Sequence, residues 1–197
     1  MKKEHLRVRH NETAPEKGAF LVAEPFLEEA WFQHSVVFLT EHNKNGTSGF
    51  IVNKEFGLNL DFFFNELSGL DDIPTYYGGP VELTSLFFLH CLGSEVFPGS
   101  IHIRDGIYMG GNLKEIIGYL ARGNSADGVI KFFFGYSGWE KGQLLDEIEE
   151  DAWMVAPSCR DLTLGNREAN SSWVEALKRL DVGFSVWDKY PLNPNFN

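Results

Sequence analysis

The sequence predicts an α/β fold, with α+β as the alternative, in which a mixed β-sheet is flanked by helices. Predicted strands outnumber predicted helices along the chain. Hairpins alternate with strand–helix–strand connections, and this combination favours a mixed sheet over a doubly wound parallel one. The 197 residues, of which 43% are hydrophobic and 17 are Phe, supply one sizeable core.

Apolar, β-branched and aromatic runs that are bounded by turn residues predict the strands. Asp105-Gly106 is the strongest hairpin signal, and residues 43–46 predict a second tight turn between antiparallel strands. The long apolar run 129–136 is predicted to be a central strand. In chain order the predicted strands are 18–23, 35–42, 47–53, 75–78, 85–91, 101–104, 107–110, 129–136 and 153–156.

Helix formers and capping residues predict three main helices. They cover residues 113–122, closed by Gly123, residues 142–150, and residues 172–180 with Ser171 as the N-cap. A short helix is predicted at 60–67. One or two helical turns are predicted at 25–32, which begins with Pro.

The charge distribution separates a basic arm from an acidic body. The formal net charge is −11, and because residues 1–10 carry +3, the remaining residues carry −14. We therefore expect a polar, basic arm at residues 1–17 and a single domain over residues 18–197. An acidic body repels phosphates on average, so direct nucleic-acid binding is not expected, although the arm alone would give a salt-dependent contact.

Hydropathy predicts a cytoplasmic protein with no membrane segment. No apolar run approaches the ~20 residues that a membrane-spanning helix needs. Residues 11–17 are polar where a signal peptide would be apolar. Cys91 and Cys159 are too few for a disulfide framework and are expected to be free thiols.

The segment Gly135-Tyr136-Ser137-Gly138-Trp139 lies between a predicted strand and a predicted helix, which is where a hydrolase nucleophile elbow occurs. That motif requires glycine two residues after the serine, and this chain has Trp139 there. The structural alternative is a glycine-rich turn that folds Trp139 onto the sheet. Without a complete catalytic motif, the sequence favours a protein that is not an enzyme.

Two strand ends carry histidine, at Glu41-His42 and at His90-Cys91. If these ends converged, they would form a Cys/His couple or a metal site. Adjacent strand residues point to opposite faces, however, so the commoner explanation is a polar residue at a strand end. We expect no metal and no cofactor.

Two further segments have a functional and a structural interpretation. Gly78-Gly79-Pro80 would present backbone N–H groups to an anion or would form a sharp turn, and it lacks the residues of a phosphate-binding loop. The acidic run 146–151 is typical of a solvated helix end. Within it, Glu147 lies one turn after Gln143 and shares its face.

An ordered series of short motifs resembles the YqgE/AlgH family of bacterial proteins, which are often labelled transcriptional regulators. The similarity covers about residues 18–180, and residues 1–17 and 94–111 depart from the family pattern. The matching segments are GAFLVAEP at 18–25, Phe32, 35–37, 41–42, Gly49, 51–53, 78–81, LFFLH at 86–90, FGYSGW at 134–139, 142–144, Glu147 and Trp153.

This resemblance implies a single domain around a mixed, partly barrel-like sheet, and it brings no catalytic mechanism. We predict a bacterial regulatory protein that acts through a protein partner, as a monomer or small homo-oligomer. The alternative is a small-ligand binding module, or an undiscovered enzyme, with a pocket at the glycine-rich turns. The candidate ligand-binding or family-signature residues are His42, Asn53, Gly78, Gly79, Pro80, His90, Gly135, Tyr136, Ser137, Gly138, Trp139, Gln143 and Glu147.

Overall fold

The computed structural model describes residues 12–27, 29–70 and 72–180. The described chain forms a ten-stranded sheet with four helices and two short 3-10 turns. The strands are β1 (Phe20–Ala23), β2 (Val36–Asn43), β3 (Gly46–Ile51), β4 (Glu55–Asn59), β5 (Pro74–Tyr77), β6 (Val81–His90), β7 (Ile101–Arg104), β8 (Ile107–Met109), β9 (Ile130–Glu140) and β10 (Trp153–Ala156). The helices are α1 (Leu113–Ala121), α2 (Gln143–Glu149), α3 (Arg160–Leu164) and α4 (Ala169–Leu177).

The sheet is mixed, as predicted, and its main order is β10-β1-β2-β3-β9-β6-β8-β7. All these neighbours are antiparallel, whereas β5 pairs in parallel with β9 and antiparallel with β4. This arrangement, with few helices on a large sheet, is an α+β fold in one domain. It confirms the mixed fold class and selects the α+β alternative.

The long strand β9 organises the sheet. Residues 132–134 pair with β5, residues 137–140 pair with β3, and β6 runs along the other side. The change of partner occurs at Gly135, which has a positive φ of 71°. A strand that bends and changes partner in this way curves the sheet.

The curved sheet is a partial barrel that stays open. Its last strand, β7, returns against the residues that precede β1. Lys17 Nζ donates to the His102 carbonyl at 2.8 Å, and Arg104 forms an ion pair with Glu16. These contacts are made by side chains, so the seam is bridged without a backbone ladder among the described residues.

Three apolar clusters cover the sheet. The largest fills the concave face, where inward residues of most strands meet α3 and α4. On the convex face, one cluster packs α2 against β1, β2 and β10, and another packs α1 and the 3-10 turns against β6 and β9. α3 and α4 therefore close one end of the partial barrel and leave the other end open.

Several local predictions are wrong. Residues 25–27 and 29–34 form turns and irregular chain rather than a helix, and residues 60–67 form two 3-10 turns, Leu60–Phe62 and Asn65–Leu67. The segment 134–139 continues strand β9 and is not a turn, because β3 and β6 pair with it. α4 begins earlier than predicted, and its N-cap is Glu168 rather than Ser171.

Strand β4 and helix α3 were not predicted, whereas the other strands and helices α1 and α2 are confirmed. Residues 1–11 of the predicted arm, and residues 181–197 of the predicted domain, lie outside the described residues. Among the described residues, no helix has the length and apolarity to cross a membrane.

Candidate functional site

The signature glycines form a tight backbone junction where the ends of β3 and β5 meet β9. The Gly78 N–H donates to the Phe134 carbonyl at 2.8 Å, and the Gly78 carbonyl accepts from the Ile51 N–H at 2.9 Å. Ser137 Oγ donates to the same carbonyl at 3.0 Å and is fully buried. A Cβ on Gly78 would lie 2.1 Å from the Gly135 carbonyl oxygen. The junction is filled by protein atoms.

Gln143 and Glu147 form a second group, on the convex face. One oxygen of the Glu147 carboxylate, Oε2, accepts the indole N–H groups of both Trp139 and Trp153 at 2.8 Å. The other, Oε1, accepts from Gln143 Nε2 at 2.9 Å. Gln143 Oε1 in turn accepts the Glu140 backbone N–H at 2.9 Å. This network fastens α2 to β9 and β10.

Asn53 is a buried connector between distant segments. Its Oδ1 accepts the Val36 N–H at 2.9 Å, and its Nδ2 donates to the carbonyls of His34 and Ala169, both at 2.9 Å. These bonds join the start of β2, the end of β3 and the start of α4. The Asn53 amide therefore has a structural role, because its oxygen and nitrogen are both hydrogen-bonded to backbone groups of the fold.

His90 is fully buried beside the β6–β8 ladder. Its Nδ1 accepts the Leu92 N–H at 3.3 Å, which leaves Nε2 as the protonated nitrogen that faces the Gly110 carbonyl at 3.0 Å. Ser100 Oγ lies 2.9 Å from the same Nε2. Burial lowers the pKa of His90, so the ring is held neutral.

The open end of the partial barrel contains a groove of about 780 Å³, which we call the barrel-mouth groove. The residues that line it come from β2, β3, β6, β7, β8 and β9 and from the segment before β1. His42 lies on its rim, with Nδ1 2.7 Å from Thr47 Oγ1. The lining residues are Lys17, Thr40, Glu41, His42, Asn43, Ser48, Phe50, Leu86, Phe87, Phe88, Ile101, Ile103, Met109, Gly110, Gly111 and Tyr136.

The predicted site residues therefore do not form one cluster. His42 and Tyr136 both line the barrel-mouth groove. His90 does not line it, but its Nε2 faces the carbonyl of Gly110, which does. Asn53 and the pair Gln143 and Glu147 belong to the networks described above and do not line it. Pro80, Gly79 and Gly138 belong to the glycine junction, where a Cβ on Gly79 would lie 2.3 Å from the Tyr136 carbonyl carbon.

Sequence reasoning missed a continuous row of aromatic rings, which we call the aromatic face; its two ends are exposed, whereas Phe134 in its middle is only 7% exposed. Neighbouring ring centroids lie 4.7 to 5.5 Å apart along the row. The exposed fraction is 71% for Phe62 and 39% for both Phe63 and Trp31. In spatial order the rings are Trp31, Tyr77, Phe56, Phe134, Phe63 and Phe62.

The surroundings of the aromatic face are acidic. Asp61 and Glu66 are exposed beside its phenylalanines, and the exposed Glu82 precedes Leu83, which packs against Gly135. Residues 55–103 contain no Lys or Arg. The nearby Lys54 Nζ donates to the carbonyls of Ala30 and Trp31, at 3.1 and 2.8 Å.

Lys131 was also missed, although a lysine inside the apolar run 129–136 was a visible signal. It is 3% exposed on the concave face. Its Nζ donates to the carbonyls of Val52 and Gly165, both at 2.8 Å, and lies 4.0 Å from the centroid of the Tyr76 ring. Burial lowers the pKa of Lys131 to about 7. The negative charges of Glu55 and Asp127 raise this pKa, but their effect is smaller than that of burial.

Metal ligands do not cluster in the part of the chain that the structure describes. There, no three His, Cys, Asp or Glu side chains are grouped so that they would hold a metal ion. Cys91 and Cys159 are both half-buried free thiols. Besides a smaller cavity of about 210 Å³ that includes Leu70, Asn124 and Asn166, the surface of the described residues carries the barrel-mouth groove and the aromatic face.

Known proteins resemble this chain over most of its length. A family model described as AlgH-like matches residues 20–185. A UPF0301 protein of Parabacteroides distasonis is 39% identical over 192 residues, covering 98% of this chain and 96% of the relative. A UPF0301 protein of Bacteroides thetaiotaomicron is 37% identical, also over 192 residues, with 98% of this chain and 96% of the relative covered.

Solved structures share the fold. The solution structure of the AlgH protein from Pseudomonas aeruginosa matches with a TM-score of 0.66 at 26% identity, covering 92% of this chain and 98% of that one. A crystal structure of a Corynebacterium diphtheriae protein matches with a TM-score of 0.73 at 22% identity, covering 93% and 95%. The matches confirm the resemblance inferred from the ordered motifs, and the chain belongs to the AlgH-like family.

Proposed function

We propose that this chain is a partner-binding protein that engages another protein through the aromatic face. The observation that carries the proposal is the unbroken row of six rings with Phe62 at its exposed end. Exposed aromatic side chains such as those at the two ends of this row, Trp31 at one and Phe62 with Phe63 at the other, are typical of an interaction site. Aromatic side chains are enriched in protein interfaces, where they contribute much of the binding energy.

The acidic side chains near the aromatic face indicate which class of partner would bind there. Asp61 adjoins Phe62 in the chain, Glu66 and Glu82 are exposed on neighbouring segments, and Lys54, two residues before Phe56, has its ammonium turned to backbone carbonyls. We infer a partner segment with apolar anchors flanked by Lys or Arg, because such residues complement the acidic border and stack on aromatic rings. A second copy of this chain would bring two acidic borders together, which is unfavourable.

Transcriptional regulation, if this chain contributes to it, then proceeds through that partner rather than by reading DNA bases. A surface with this acidity repels the phosphate backbone. We place the encounter in the cytoplasm, where Cys91 and Cys159 would stay reduced.

The test compares two single substitutions of exposed apolar residues in the full chain. Phe62→Ser removes the end of the aromatic face, and Leu145→Ser is the control, since Leu145 is 48% exposed on α2, outside the face. Proteins captured from native cells by the tagged chain are quantified by mass spectrometry. We expect a reproducible partner whose recovery falls at least tenfold with Phe62→Ser, is unchanged with Leu145→Ser, and decreases with added salt.

Two results would contradict the proposal. One is recovery of the same proteins, in the same amounts, by both variants. The other is a salt-resistant homodimer of the wild type that Phe62→Ser converts to a monomer, since that would assign the aromatic face to self-association.

A further inference from the structure

We propose that the barrel-mouth groove binds a single-chain anionic amphiphile, a carboxylate that carries an alkyl tail, with one molecule per chain. This site is separate from the aromatic face and goes beyond the proposed partner binding. The inference rests on three features of the groove: its place in the fold, its apolar floor and the groups on its rim.

The position of the barrel-mouth groove, at the open end of the partial barrel, makes it a pocket. Helices α3 and α4 cover the concave face at one end only, so strand residues at the other end have no helix above them. The resulting volume of about 780 Å³ falls in the range of ligand pockets, roughly 300–1,000 Å³. Mouths of β-barrels are among the places where such pockets occur.

The floor of the groove is a continuation of the concave core. Phe50 and Ile103 are buried members of that core, and Phe87, Met109 and Tyr136 are half-buried side chains packed against it. Together these five side chains form an apolar floor supplied by five strands. An alkyl tail laid on this floor would cover the surface that the three half-buried side chains leave exposed.

The rim beside the floor is polar and can hold a carboxylate. Lys17 is exposed, and its ammonium makes one described hydrogen bond, to the His102 carbonyl at 2.8 Å, which leaves two donors. His42 uses Nδ1 on Thr47 Oγ1, and its Nε2 has no hydrogen bond to any part of the chain that the structure describes. The Ser48 hydroxyl adds a further possible donor on the same rim.

The charged and titratable groups that face the groove are Lys17, His42, Glu41 and Tyr136. Glu41 is exposed, its Oε1 accepts from Asn43 Nδ2 at 2.7 Å, and its Oε2 has no hydrogen bond to the described residues. This carboxylate offsets the formal charge of Lys17, so the preference for an anionic head group rests on the donors of Lys17 and His42 that have no acceptor among the described residues.

The test measures calorimetric binding of three twelve-carbon probes to the full chain: dodecanoate and dodecyltrimethylammonium below their micelle concentrations, and dodecan-1-ol below its solubility limit. We expect saturable binding of one dodecanoate per chain, at least tenfold tighter than the alcohol and tighter still than the cation. In a series of shorter carboxylates, each methylene removed should weaken binding roughly fourfold, as expected for a buried CH₂.

Variants locate the site. Lys17→Gln should abolish most of the preference for carboxylate over alcohol while leaving alcohol affinity unchanged, and Lys44→Gln, on the exposed β2–β3 turn, should change neither. Met109→Trp should weaken all the probes by filling the floor. Phe62→Ser should leave dodecanoate binding intact, which separates this site from the aromatic face.

Several outcomes would overturn the proposal. They are the absence of saturable binding, equal affinity for the carboxylate and the cation, equal effects of Lys17→Gln and Lys44→Gln, and loss of dodecanoate binding in Phe62→Ser. Because the partner-binding test depends on Phe62 and this one on Lys17, failure of either proposal leaves the other standing.

Discussion

Replacing Lys131 with Met should remove a pH dependence from the stability of the fold. In the wild type, Lys131 is 3% exposed, its Nζ has two carbonyl oxygens and a ring face as neighbours, and no carboxylate of the described residues is hydrogen-bonded to it. Desolvation of the charged form lowers the pKa of Lys131 to about 7 in the folded state, from 10.5 for an exposed lysine. The folded chain thus releases a proton that the unfolded chain keeps.

The sign and size of the effect follow from this difference. Between about pH 7 and 10.5 the unfolded state binds more protons, so the free energy of unfolding rises with pH at up to about 1.4 kcal/mol per pH unit. From pH 7.5 to 9.5 the Lys131 contribution is about 2.5 kcal/mol. Burial raises the pKa of the Tyr76 phenol. Tyr76 therefore makes the free energy of unfolding fall with rising pH, but only above the ordinary pKa of a tyrosine.

The assay is urea unfolding at half-unit steps from pH 6.5 to 9.5 for the wild type, Lys131→Met and the exposed control Lys44→Met. The difference between the wild type and Lys131→Met isolates the lysine from other titrating groups, including Lys54, whose pKa burial also lowers. We expect this difference to change by about 3 kcal/mol across the range, with Lys44→Met parallel to the wild type. Parallel curves for the wild type and Lys131→Met would show that Lys131 keeps its charge in the folded protein.

Three further predictions concern the networks that fasten the fold. Glu147→Ala leaves two indole N–H groups without their acceptor and should cost about 2–4 kcal/mol in denaturant unfolding, so a cost under about 1 kcal/mol would contradict the network. Gly78→Ala drives a Cβ into the Gly135 carbonyl oxygen and should cost at least about 1–3 kcal/mol. Gly118→Ala, in α1, where a Cβ would make only an ordinary contact with Arg122 Nη1 at 3.5 Å, should instead stabilise by about 0.5–1 kcal/mol, and two effects of the same sign would refute this contrast. Asn53→Ala should cost about 2–3 kcal/mol and speed hydrogen exchange of the β2 amide that Asn53 holds, whereas unchanged exchange would contradict its role as a connector.

Local chemistry was enough to predict the hairpins. Asp105-Gly106 joins β7 and β8 with φ of 48° and 74°, the left-handed geometry that makes this dipeptide a strong turn signal. The β2–β3 hairpin likewise follows from residues 43–46. In both cases the conformation is set by residues adjacent in the chain, so no tertiary information was needed.

The segment 134–139 shows why other elements were not predictable. Its glycines are typical of a turn when only neighbours in sequence are considered. In the fold, Gly135 bends a strand that β6 borders on one side while β5 and then β3 border it on the other. Those partners lie 48 to 92 residues away in the sequence, so the pairing that overrides the local turn preference cannot be seen from neighbouring residues.

The candidate surface was missed for a related reason. The Phe triplet 62–64 was interpreted as part of a short helix, yet two of its three rings are exposed. Apolar side chains indicate burial, but which of them stay uncovered depends on where distant segments end. The aromatic face is assembled from residues 31–134, and no window of sequence contains it.

The position of β1 within the sheet has a consequence for how the chain acquires its fold. β1 lies between β2 and β10, and its partner in β10 follows 136 positions later, as in the pair Phe20 and Ala156. During synthesis one edge of this four-residue apolar strand has no hydrogen-bonded partner strand until nearly the whole domain has emerged from the ribosome. Pairings so distant in sequence slow folding and prolong the exposure of strand edges. The order of the strands therefore predicts that the β1 edge is completed late in folding.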